Sequence, residues 1–153
     1  MVFYYSRSLK TKFFAETLGE ALGRPVYELK SDINEKSKLA FYFTALGLVF
    51  NGRGYPVSNM PTDLSQDIYV CGPVWGGQMV GPPRYFLDNA NLKDIRVNLL
   101  LTASVPVDKY RRKALEYLNN IPCIAGEAYI FATSDKIPPD KETLMEQFGE
   151  MLQ

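Results

Sequence analysis

With 153 residues, 46% of them apolar and 13% aromatic, the chain has the material for one domain with a real core, and its composition excludes disorder. Its 17 basic and 17 acidic residues cancel, so no bulk charge draws it to nucleic acid or to an anionic membrane. It has no histidine, which excludes Ser-His-Asp and Cys-His nucleophile systems and most zinc sites.

In chain order, the first element is a strand. Residues 2–5, VFYY, are β-branched and aromatic without polar alternation, the pattern of a strand buried on both faces. Residues 12–22, KFFAETLGEAL, carry apolar side chains at 13, 14, 15, 18, 21 and 22, which predicts a helix burying one face and stopped by Gly23 and Pro25. Between them lies SRSLKT (Ser6, Arg7, Ser8, Leu9, Lys10 and Thr11), a strand-to-helix turn. A helix start offers free N–H groups and the positive end of a dipole. Three hydroxyls and two cations there suit a phosphate. The same residues also suit simple capping, with a Ser or Thr satisfying the first N–H groups. The stretch alone supports either reading.

PVYEL (25–29) reads as a second strand, and residues 36–51 as a strongly apolar helix ended by NGRG. Its near-continuous apolar character predicts a helix covered on several sides, with a subunit interface, and so a homodimer, as the other way to cover it. A polar, proline-bearing link (54–65) leads to DIYVCG (67–72), a third buried strand. PPRYFLDNAN (82–91) starts a helix with prolines in its first turn, where they are tolerated. IRVNLLLTA (95–103) is a fourth strand, 108–119 a helix with an acidic start, AGEAYIFAT (125–133) a fifth strand, and 140–152 the closing helix. No basic region with a long apolar core and cleavage site opens the chain. The longest apolar segment, 39–50, is too short to span a bilayer. A cytoplasmic protein is the expectation. Cys71 and Cys123 stand far apart in apolar contexts, which predicts buried, reduced thiols rather than a disulfide or a metal site.

Strict alternation of five strands with five helices predicts a single α/β domain over residues 1–153. It is a three-layer, doubly wound, five-stranded parallel sheet in the order 2-1-3-4-5. Ligands of such sheets bind beyond the carboxyl ends of the strands, at the switch point between strands one and three. Three loops leave there: SRSLKT, PVWGGQMVG (73–81) and TASVPVD (102–108). The second sits in CGPVWGGQMVGPP, which sets four glycines and three prolines around the only tryptophan, Trp75. Close-approaching glycine backbone beside an aromatic is a way to hold a flat ring, and the phosphate-like loop on the neighbouring strand favours that over Trp75 capping the core. The third loop is small and uncharged, able to close on a ring edge through backbone groups or to serve as a plain connection.

A phosphate cradle and an aromatic, glycine-rich wall at one crevice suggest a phosphorylated planar cofactor. In these residues the chain resembles the flavodoxin-like flavoproteins, which bind flavin mononucleotide (FMN). SRSLKT with the following helix is similar to the family's phosphate loop, Ser/Thr-x-Thr-Gly-x-Thr. DIYVCGPVWGGQMVGPPRYFL is similar to its flavin-ring segment, where a buried strand leads to Pro-Val-Trp and later to Pro-Pro and Phe-Leu. The resemblance implies that Ser6, Ser8 and Thr11 hold the phosphate within the loop that also includes Arg7, Leu9 and Lys10. It further implies that Pro73, Val74, Trp75, Gly76 and Gly77 lie beside the ring, and that Ala103, Ser104 and Val105 form the third flavin loop. Leu9 stands where the family has glycine, with Lys10 placed to compensate by its charge. Electron-carrier flavodoxins are markedly acidic and this chain is neutral, which turns the expectation from a shuttle toward a flavin-dependent reductase, or a domain that binds flavin poorly. The implied partners are a redox protein or a small-molecule electron acceptor. The alternative is a cofactor-free domain of this fold acting as a binding module. A phospho-receiver would need acidic residues after strands one and three, and VFYYS and VCGPV supply none. A low-molecular-weight tyrosine phosphatase would need Arg six positions after a Cys, where Cys71 meets Gly77 and Cys123 meets Tyr129.

Overall fold

A computed structural model describes residues 1–31, 38–51, 54–133 and 140–151. The strands β1 (Val2–Tyr4), β2 (Val26–Glu28) and β3 (Asp67–Trp75) alternate with the helices α1 (Lys10–Leu22) and α2 (Lys38–Asn51). There follow β4 (Gln78–Met79), α3 (Pro82–Asn89), β5 (Arg96–Ala103), α4 (Asp108–Leu118), β6 (Ile124–Ala132) and α5 (Lys141–Met151). The first two residues of the predicted second helix, its NGRG stop at 52 and 53, and residue 152 of the predicted closing helix lie outside the described residues.

Strands β2, β1, β3, β5 and β6 pair in that order, all parallel, which is the expected 2-1-3-4-5 arrangement. One strand was not anticipated: β4 pairs antiparallel with the end of β3, joining Val74 to Met79 and Trp75 to Gln78. Pro73, Val74 and Trp75 therefore belong to a strand rather than a loop. Only Gly76 and Gly77 turn the chain, at φ of 58° and 82°. Two positive φ values in succession are what a tight two-residue hairpin requires, and glycine supplies them without steric penalty. The glycine-rich composition that read as loop is thus a hairpin.

Side-chain alternation along the central strands builds two cores, one on each face. Val2, Tyr4, Tyr69, Cys71 and Leu100 meet Phe14, Ala15 and Leu18 of α1 with Leu144 and Phe148 of α5. Phe3, Ile68, Val70, Leu99 and Leu101 meet Phe86 and Leu87 of α3 with Ala114 and Leu118 of α4. Each fully buried large side chain contributes about 1.5–3 kcal/mol. Helix α2 departs from expectation: Tyr42, Phe43, Leu46 and Phe50 are exposed. An apolar sequence creates a demand for cover without supplying it. Of the cysteines, Cys71 is fully buried and Cys123 only partly so, against the expectation that both are buried.

Opposite the carboxyl ends, the sheet is pinned by a polar network. The buried Asn98 side chain donates to Asp67 Oδ1 at 2.8 Å and accepts from the Glu127 N–H at 3.0 Å. It fills an irregularity where β6 holds one residue more than β5. A Cβ on Gly126 would collide with the side-chain amide oxygen of Asn98, so glycine is needed there. Arg24 pairs with the other Asp67 oxygen at 2.6 Å. These contacts sit at the end of the sheet opposite the carboxyl ends, and it is at the carboxyl ends that doubly wound folds bind their ligands.

Candidate functional site

The crevice at the carboxyl ends of the strands is assembled from three connections. In the first, β1 runs on as far as Tyr5, whose N–H donates to the Cys71 carbonyl at 3.2 Å. Ser6 follows, with its Oγ buried and no hydrogen-bond partner among the described residues. Arg7 and Ser8 are exposed. Leu9 adopts the left-handed conformation, φ 64° and ψ −6°, while its side chain stands 67% exposed. Its carbonyl accepts the first helical hydrogen bond, from Phe13 N–H at 3.0 Å. Helix α1 therefore begins at Lys10, two residues earlier than the apolar spacing indicated, and Lys10 and Thr11 form its first turn instead of a loop. The N–H groups of a first helical turn have no intrahelical acceptor and emerge at the helix end.

Thr11 is buried and its hydroxyl lies 2.8 Å from that of Thr102, also buried, near the end of β5. This bond ties the first connection to the third. One of the two hydroxyls donates in it, and the other keeps its proton for a further acceptor.

The second connection is the β3–β4 hairpin. Trp75 is half-buried and packs edge-on against Tyr5, ring centroids 6.2 Å apart at 81°. Tyr5 in turn stands edge-on to Tyr55, whose hydroxyl donates to the Tyr5 hydroxyl at 2.9 Å. Gly81, with φ 76°, leaves room for the Tyr55 ring, which a Cβ would approach to 3.2 Å. Such edge-to-face pairs contribute about 0.5–1.5 kcal/mol beyond their burial. The aromatic corner of Tyr5, Tyr55 and Trp75 thus braces the hairpin against β1.

The third connection joins β5 to α4. Ala103 is buried, Ser104 is exposed and Val105 is 67% exposed. A cleft of about 450 Å³ opens between the second and third connections, lined by Val74, Gly76 and Gly77 from one and Ala103, Ser104 and Val105 from the other. Lys109, Tyr110 and Lys113 of α4 complete it. Trp75 is not among its lining residues. The Tyr110 ring lies where a Cβ on Gly77 would approach to 3.2 Å.

The three predicted loops therefore meet at one end of the sheet, and two of them share a cleft. Sequence reasoning missed Tyr5, Tyr55, Lys109, Tyr110 and Lys113. Tyr5 was legible as the last residue of the first strand, and Lys109 and Tyr110 as the first turn after the third loop. Tyr55 lay in a stretch read only as a link. Cys71, close behind the hairpin, is walled into the core, and burial pushes its thiol far above the usual range, so it stays protonated. Among the described residues no cluster of acidic, Cys or His side chains could hold a metal ion, and no helix is long and apolar enough to cross a membrane.

No family model matches the sequence, and the comparison with curated proteins finds no significant match. Solved structures do match. A candidate flavoprotein from Bacteroides eggerthii aligns over 99% of this chain and 96% of its own, at 13% identity and a TM-score of 0.71. A flavoprotein from Lactobacillus acidophilus, in complex with FMN, aligns over 97% of this chain and 96% of its own, at 18% identity and a TM-score of 0.67. The two-electron reduced flavodoxin of Megasphaera elsdenii aligns over 98% and 99%, at 14% identity and a TM-score of 0.56. The chain is thus a doubly wound α/β protein. Its fold is flavodoxin-like, as SRSLKT and PVWGG implied.

Proposed function

We propose that this chain binds FMN at the carboxyl ends of β1, β3 and β5 and uses it for electron transfer or flavin-dependent reduction. The observation that carries this reading is Ser6. A buried hydroxyl without a partner costs about 1–3 kcal/mol, and its place in the β1–α1 turn is where a phosphate oxygen would relieve that cost. Leu9 supports it, since it holds the left-handed backbone that glycine adopts freely, at the position where the resemblance puts glycine, with the side chain turned out to solvent. Ser6, Ser8, the Thr11–Thr102 pair and the start of α1 would hold the phosphate, with Arg7 and Lys10 adding positive charge. The helix end contributes roughly 0.3–1 kcal/mol when exposed and up to about 2 when partly buried.

Trp75, Gly76 and Gly77, with Pro73 and Val74 behind them, and Ala103, Ser104 and Val105 opposite, would flank the ring. Gly76 and Gly77 allow backbone to approach it closely. When bound, FMN supplies one- and two-electron chemistry, while the protein orients the ring and limits its contact with water. The neutral net charge favours reduction of a small acceptor over shuttling between proteins. The exposed apolar stripe on α2 supports a homodimer, which sedimentation of the wild type against Phe43→Lys checks. The decisive test is titration with FMN and with riboflavin, following flavin fluorescence. FMN should bind much more tightly. Equal binding would remove the phosphate role, and no quenching by either would favour the cofactor-free binding module.

A further inference from the structure

An open sheet ends in two strands that each leave one side unpaired, and the N–H and C=O groups along that side are a template for a further strand. Here those strands are β2 and β6. In β2 the Leu29 N–H donates inward to the Tyr4 carbonyl at 2.7 Å. By alternation, the backbone groups of Glu28 and Lys30 therefore face outward. The Asn59 side chain meets both: its Nδ2 donates to the Glu28 carbonyl at 2.6 Å, and its Oδ1 accepts from the Lys30 N–H at 2.8 Å. One donor and one acceptor straddling Leu29 is what a residue of a parallel neighbouring strand would present, with a carboxamide in place of the peptide. The Ser58 N–H adds a bond to the Lys30 carbonyl at 3.1 Å. The link between α2 and β3 thus closes this part of the edge.

In β6 the Thr133 N–H donates inward to the Ala103 carbonyl at 2.8 Å, which turns the backbone groups of Ala128, Ile130 and Ala132 outward. Among the described residues no strand pairs with this edge. The Ala128 carbonyl accepts instead from Arg111 Nε at 2.8 Å, and the same guanidinium lies 3.4 Å from Glu127. A groove of about 390 Å³ runs along the strand, with residues 128–131 as its floor, Arg111 of α4 on one bank and Gln147 and Met151 of α5 on the other. The strand itself, IAGEAYIFA, carries one charge and no proline, the composition of a segment that pairs with its own kind. From these contacts we infer that Asn59 and Arg111 guard the two edges of the sheet. Asn59 replaces the strand that β2 lacks. Arg111 plants a charge on the β6 edge, where a second copy of this chain would otherwise add antiparallel, its β6 against this one, a pairing that two-fold symmetry closes. Neither guard lines the cleft between the hairpin and the β5–α4 connection, so both act whether or not FMN is bound.

The test uses the full chain carrying Phe43→Lys as parent, so that the apolar stripe of α2 does not contribute to association. By sedimentation over a range of concentrations, Arg111→Ala should self-associate about tenfold more strongly than the parent. Adding Ala132→Pro deletes one outward N–H, a change that an edge strand tolerates, and should return the protein to the parent's behaviour. Sedimentation of Arg111→Ala like the parent, or association that survives Ala132→Pro, overturns the role of Arg111. The other edge is read by amide hydrogen exchange. In Asn59→Ala the Lys30 amide should exchange about tenfold faster while the amides of β3 keep their protection. Asn59→Asp retains the acceptor and should leave the Lys30 amide slow. A Lys30 amide that exchanges at the parent's rate in Asn59→Ala, or that speeds up only together with β3, overturns the role of Asn59.

Discussion

The two turns that flank the crevice solve one backbone problem in opposite ways. Both need residues in the left-handed region. The β3–β4 hairpin uses Gly76 and Gly77, the residues that reach it freely, and Tyr110 then fills the space that a side chain on Gly77 would occupy. The β1–α1 turn uses Leu9, which reaches φ 64° at a cost of about 1–2 kcal/mol. What keeps Leu9 there is its surroundings. Its carbonyl starts α1, its side chain is free in solvent, and the turn is tied to β5 through Thr11. A backbone conformation can thus be dictated by its context when its residue argues against it, and the missing glycine is a weaker objection to a phosphate loop than it looks.

The comparison can be broken most severely at the hairpin. Gly77→Val combines a β-branched residue at φ 82° with a collision against Tyr110. It should cost about 3 kcal/mol and lower Tm by roughly 10 °C, measured by thermal unfolding, with loss of any flavin quenching. Thr11→Val attacks the tie beneath the other turn. It leaves the Thr102 hydroxyl buried without its partner and should cost about 1–2 kcal/mol by denaturant unfolding, whereas Thr11→Ser should retain most of the stability. Ser6→Ala should act with opposite signs on two measurements. Removing a buried hydroxyl that has no described partner should stabilise the cofactor-free chain by about 1 kcal/mol. The same variant should weaken FMN about tenfold, because a hydrogen bond to a charged group is worth about 1.5–3 kcal/mol. The smallest effect belongs to Leu9→Gly. Relief of the left-handed strain is partly offset by the greater freedom of glycine in the unfolded chain, for a net gain of under about 1 kcal/mol. FMN should bind slightly more tightly and riboflavin the same.

The elements most legible in the sequence were those that a single period defines. VFYY and DIYVCG could only be buried strands, and KFFAETLGEAL could only bury one face. The parallel order followed from their alternation. What failed was decided by contacts between distant residues. Composition around Gly76 and Gly77 signals a turn but does not say that β3 continues through Pro73 to Trp75, because the pairing of Trp75 with Gln78 is a matter of register. The start of α1 at Lys10 is set by the Leu9 carbonyl and not by the apolar stripe, which begins at Phe13. In α2 the apolar pattern predicted cover, and Phe50 is 84% exposed. Around the crevice, Thr11 read as a phosphate ligand from its type alone, while its bond to Thr102 needs the fold to bring β5 beside α1. Lys109 and Lys113 were legible only as part of a helix with an acidic start, and it is the fold that brings them to the cleft.

The position of β1 has a consequence for how the chain reaches this state. Three residues, Val2 to Tyr4, are hydrogen-bonded on one edge to Val26–Glu28 and on the other to Tyr69–Cys71. This interior strand precedes both of its neighbours in the chain, and the second of them emerges only after α2 and the link beyond it. Until then VFYY is a short, wholly apolar ribbon with one open edge, the kind of segment that pairs with the wrong chain. Closing the sheet also demands contacts between parts of the chain far apart in sequence, which makes folding slow compared with a helical protein of similar stability. The order that creates a binding crevice between β1 and β3 is therefore the same order that leaves the nascent chain exposed for longest at its most aggregation-prone segment.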